Sequence, residues 1–142
     1  TKTILQQRAT DDEGSIVRVR AIQVLADNYP NDPKIKNFLQ QCATDERWDV
    51  RGAGIKALAK HFRDQPELFF DIYYNCAVHD PFERKQESED NPRRIALEII
   101  IKQYPQHSQT LSLLRDRAKN DPDEVVQKYA QKILKRWGEE KE

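Results

Sequence analysis

The chain has 142 residues, 34% charged and 37% hydrophobic, with 24 Lys and Arg against 24 Asp and Glu. This balance gives no general pull toward nucleic acid or an anionic membrane surface. No run approaches the roughly 18 apolar residues of a membrane span, and no secretory leader is visible.

Four glycines and a high charge content suit amphipathic helices with wide solvated faces. Two cysteines supply neither a disulfide framework nor a zinc spacing, so a reducing, cytoplasmic setting is expected. The sequence lacks methionine, so the chain is expected to be a piece of a larger protein, with further domains upstream.

In chain order, the first apolar positions are Ile4 and Leu5, followed by Arg8 and Ala9. A longer pattern follows: Val17, Arg18, Ala21, Leu25 and Tyr29. Apolar residues three or four apart make one helical face. Pro33 behind Asp32 opens the next helix, which carries Phe38, Leu39, Cys42 and Ala43. The long pattern then returns 33 residues on, as Val50, Arg51, Gly54, Leu58 and Phe62. Pro66 opens a helix with Ile72, Tyr73, Cys76 and Ala77 in the same pattern, and with Phe70 and Tyr74. A charged stretch from Asp80 to Asn91 interrupts the period by about eight residues, and an exposed, mobile insertion is expected there. The third long copy is Pro92, Arg93, Ala96, Ile100 and Tyr104, followed by Leu113, Leu114, Arg117 and Ala118. The last copy is Val125, Val126, Gln127, Tyr129, Ile133 and Trp137, with Gly138 as a helix end. No proline falls inside a helix, and four stand at expected first helical positions: Pro33, Pro66, Pro92 and Pro122. Leu5, Val17, Leu25, Leu39, Leu58, Ile72, Ile100, Leu114, Leu134 and Trp137 are expected in the core.

Helical pairs of this period, with Val-Arg opening the second helix after an Asp-bearing turn, resemble HEAT repeats (HEAT-like, ARM-type) over essentially the whole chain. The style of Asp121-Pro122-Asp123-Glu124 and Trp137-Gly138 is similar to the C-terminal HEAT repeats of bacterial NACHT-type signalling NTPases. It is also similar to phycobilisome-lyase-like HEAT repeats. The resemblance implies an all-α, right-handed α-α superhelix of about four helical hairpins. One domain spans 1–142, with repeats at approximately 1–30, 31–64, 65–105 and 106–138.

Arg18, Arg51 and Arg93 share one rank, and Asp11, Asp45 and Asp80 stand in the turns before it. The expectation is a structural ladder, since the guanidinium fork can hold carboxylate and turn carbonyls at once. An anion site is the competing reading. His61, His79 and His107 share no helical face, so no metal and no catalysis are expected of them. Cys42 and Cys76 share a rank and are expected to be inert core thiols.

Lys60, Lys102 and Lys135 occupy equal ranks on the second helices, with Lys56 and Arg94 expected nearby. This cationic stripe is a candidate partner surface, and a solvated face is its plainer reading. Phe70 and Tyr74, at ranks otherwise polar, are candidate partner residues or the floor beneath the insertion. The function expected is a non-catalytic protein-interaction or ligand-sensing module that holds an acidic protein segment, without cofactor, as in the repeat region of a signalling NTPase. The alternatives are a lyase-like protein handling a chromophore and a nucleic-acid-binding module, the latter disfavoured by the neutral charge.

Overall fold

A computed structural model describes residues 2–5, 15–63 and 66–138. Among them the regular structure is helical, with no strand. Residues 2–5 are helical, followed by α1 (Ser15–Asn28), α2 (Pro33–Cys42), α3 (Trp48–His61), α4 (Pro66–His79), α5 (Pro92–Gln103), α6 (Thr110–Asn120) and α7 (Glu124–Arg136). The fold class is all-α, of the α-α superhelical type. Thr1–Pro66 and Glu67–Glu142 each form a compact unit.

In the first unit α3 packs against both α1 and α2. Ile22 and Leu25 of α1, Ile35 and Leu39 of α2, and Val50, Ile55 and Leu58 of α3 are fully buried. Full burial of each such side chain contributes about 1.5–3 kcal/mol. From Val50 to Lys60, only Lys56 and Lys60 are exposed. The small side of α3 makes this closeness possible. A Cβ on Gly54 would stand 2.8 Å from Cys42 Cβ and 3.0 Å from the Leu39 carbonyl oxygen.

In the second unit α6 and α7 form a hairpin, with Leu113 and Leu114 buried on one helix and Val126, Ala130 and Leu134 on the other. Helix α4 is tied to α5 by aromatic contacts. Tyr104, at the end of α5, meets Phe70 at 5.1 Å and Tyr73 at 6.1 Å between ring centroids. Caps follow local chemistry: the side chains of Asp32, Asn91 and Asp123 accept from the N–H two residues on, at the starts of α2, α5 and α7. Gly138, at φ 76°, takes the left-handed conformation just past α7.

Several sequence expectations need correction. Val17 is 39% exposed, and burial on α1 begins at Ala21. Leu5, Ile72 and Trp137 are half-buried; in α4 Phe69 joins Tyr73 and Cys76 in the core and Ile72 does not. Helix α7 starts at Glu124 behind Asp123, not at Pro122, because the Asp121 carboxylate is engaged elsewhere and Asp123 supplies the cap. The last copy also slips by one residue: Val126 is buried and Val125 is 43% exposed.

Candidate functional site

The arginine rank meets the turns in a repeated pattern. Arg18 donates to the Asp45 carboxylate at 2.7 Å, and Arg51 donates to the carbonyls of Asp45 and Glu46, each at 3.0 Å. In the second unit Arg93 donates to the Asp121 carboxylate at 2.9 Å and to the Asp80 carbonyl at 2.6 Å. The Asp45, Asp80 and Asp121 carboxylates also accept from the N–H two residues on, which shapes each turn. Burial would raise the Asp45 carboxyl, but the Arg18 hydrogen bond, the Arg47 N–H and the Arg18 and Arg51 charges hold it below the ordinary value. Asp11 lies outside the described residues. The rank is thus occupied by intramolecular bonds, with Arg51 and Arg93 buried.

The 81–91 insertion is largely exposed and carries its own set of hydrogen bonds. Arg84 folds its own loop, donating to the carbonyls of Gln86 and Glu87 at 3.2 Å and of Glu89 at 2.6 Å. Its other face donates to the Asp123 carboxylate at 3.0 Å, and Asn91 Nδ2 donates there too at 2.9 Å. Burial raises the Asp123 carboxyl, but Arg84, Asn91 and the Val125 N–H bring it below the usual range. Phe82 is buried beneath the loop.

Phe70 is a core residue, 4% exposed, because the connection after α5 closes over it. His107 stacks on its ring at 3.6 Å between centroids. It is therefore no surface for a partner. Tyr74, half-buried, stands 5.9 Å from Phe70. Cys42 and Cys76 are buried free thiols. Burial, reinforced by the Asp45 charge, pushes the Cys42 thiol up to about 12, far from a reactive thiolate. Among the described residues no three His, Cys, Asp or Glu side chains converge on a metal position.

The cations of the stripe differ in availability. Arg94 pairs with Asp90 at 3.6 Å and Glu98 at 3.8 Å and lies over the Tyr129 ring. Lys102 pairs with Glu98 at 3.6 Å. Lys60 Nζ stands 3.2 Å from Asp27 Oδ1. Lys56 and Lys135 are exposed. The first unit adds geometry to this chemistry. A groove of about 360 Å³ runs between α1 and α3. Val24, Ala26, Ala53 and Ala57 line it with small apolar groups, Arg20, Lys56 and Lys60 supply its cationic edges, and the His61 imidazole stands beside Lys60. Asp27 is the one carboxylate among its lining residues. Lysines in the last turn also complement the helix dipole, so part of this charge is structural.

The family model for HEAT repeats matches residues 3–68. This supports a HEAT-repeat protein. The match is to the repeat, not to NACHT-type NTPases or phycobilisome-lyase-like proteins. No curated protein and no solved structure matches the chain. HEAT repeats commonly serve as protein-interaction scaffolds, and no described helix is long and apolar enough to cross a membrane.

Sequence reasoning missed Asp27, Arg84, Asp121 and Asp123 as organising residues and Arg20 as a residue of the groove. Asp121 was legible as the next member of the Asp45 and Asp80 series. Arg84 was not, since an insertion carries no repeat register.

Proposed function

We propose that this chain is a non-catalytic interaction module that holds an acidic segment of a partner protein against the exposed edges of its second helices. The observation that carries the reading is the α1–α3 groove, where small side chains leave room for a ligand backbone. Arg20 and Lys56 stand at its edges with no ion pair among the described residues. In the second unit Lys102 and Lys135 are the exposed counterparts on α5 and α7. Charges so placed steer an acidic ligand at long range, and lysine stems cover its apolar groups. The buried thiols suit a reducing compartment.

The test is fluorescence anisotropy with a labelled peptide alternating Glu and Ala, a second alternating Lys and Ala, and a single-stranded oligonucleotide. The acidic peptide should bind, and its affinity should fall as salt rises from about 50 to about 300 mM. Arg20→Glu with Lys56→Glu should abolish binding while leaving the circular dichroism melt in place. Equal binding of both peptides would overturn the reading. Tighter binding of the oligonucleotide would move the assignment to nucleic acid.

A further inference from the structure

We propose that Asp27 is a built-in competitor for the groove, a carboxylate held where a ligand carboxylate binds; this rests on the reading of the groove as a site for an acidic segment. Two side chains converge on one Asp27 oxygen: the Lys60 ammonium at 3.2 Å and the His61 imidazole, through Nε2, at 2.8 Å. Such convergence of donors on an oxygen is the geometry by which a carboxylate is recognised. The Asp27 and Lys60 side chains are 52% and 67% exposed, whereas the His61 side chain is 16% exposed. Asp27→Asn keeps a side-chain oxygen facing His61 while removing the exposed charge, so it leaves the fold largely untouched.

The position of the pair gives it a role. Lys60 and His61 also line a second groove of about 430 Å³, formed with the turn at Pro30–Pro33 and with Phe62 and Arg63. A bound segment passing from one groove to the other crosses the place Asp27 occupies. Its acidic side chain takes Lys60 and His61, and Asp27 turns into solvent. Because one carboxylate replaces another, a single acidic residue gains little. A segment with further carboxylates for Arg20 and Lys56 gains much more, so Asp27 sets a threshold of acidity for the ligand.

The Glu-Ala peptide measures this directly. Asp27→Asn should tighten its binding about threefold to fivefold, the span of one exposed ion pair. Glu46→Gln makes the same change in net charge on an exposed residue of the same unit and should give no gain. Adding Lys60→Gln to Asp27→Asn should remove the gain. Equal gains from Asp27→Asn and Glu46→Gln would overturn the proposal in favour of unspecific charge. Unchanged affinity in Asp27→Asn, with binding still lost in Arg20→Glu and Lys56→Glu, would overturn it while leaving the groove as the site. No peptide binding by either the native chain or Asp27→Asn would overturn both readings together.

Discussion

The Gln127 side chain donates to the Asp121 carbonyl at 2.5 Å, the same place in the turn that Arg51 reaches at Asp45. Six residues separate donor and acceptor in both cases, so the turn is built identically with a neutral amide in place of a guanidinium. The charge is not missing from the last turn, because Arg93 and Arg117 both reach the Asp121 carboxylate.

That convergence makes Asp121 a critical side chain of the second unit. It is fully buried, and Arg93 and Arg117 are buried around it. Asp121→Ala should cost about 3–5 kcal/mol, since two buried guanidiniums lose their shared counter-charge. Gln127→Ala, which removes one neutral hydrogen bond, should cost about 1 kcal/mol. Urea unfolding of the two variants checks the order; comparable losses would show that Asp121 matters only through its backbone.

Gly54 should resist enlargement. Its added Cβ would sit 2.8 Å from Cys42 Cβ and close to the backbone of α2 on two sides. Gly gives up about 1 kcal/mol to Ala in an ordinary exposed helix interior. Here Gly54→Ala should instead destabilise by about 1–3 kcal/mol, because the contact forces α2 and α3 apart. A thermal melt that rises would refute the close-approach account.

Arg84 should hold the insertion locally. Arg84→Gln should speed hydrogen exchange at the amides of Lys85, Gln86 and Glu89 and open the loop to limited proteolysis. The loop's own bonds are partly exposed, so the global loss should stay near 1–2 kcal/mol. Unchanged exchange in the variant would mean that Glu89, which accepts from the Lys85 and Gln86 N–H groups, shapes the loop alone.

Acid should weaken both units. The Asp45 and Asp123 carboxyls lie below their ordinary value of 3.8 in the folded chain. A depressed carboxyl contributes stability that is fully present above the unfolded value and is lost as pH falls through the folded one. Melting temperature should therefore hold from about pH 7 to about pH 5 and fall progressively below about pH 4. Arg84→Gln should flatten part of that decline, and an unchanged slope would remove Asp123 from the account.

The period, three of the four helix-opening prolines and the Arg-Asp rank were legible because they repeat: each copy meets the same packing surface and selects the same residue types. What escaped was whatever one copy does alone. Phe70 looked exposed because its rank elsewhere holds Lys36, and its cover is Tyr104 and His107, distant in sequence. The one-residue slip at Val125 was hidden by two adjacent valines that satisfy either register. For the groove, the cations Lys56 and Lys60 could be read from their rank. The carboxylate that partners Lys60 could not, since Asp27 stands at the equivalent position one repeat earlier and rank alone does not show that the two side chains meet.

The bond from Arg84 to Asp123 also has a mechanical side. It ties a loop that precedes α5 to the residue that opens α7, and Arg93 ties α5 to the turn between α6 and α7. Under load applied at residue 138, the terminal hairpin cannot peel away until both guanidiniums release. Helices α6 and α7 should then leave as one step in a force trace, with the brittle rupture of short-range bonds rather than the gradual yielding of a frayed end.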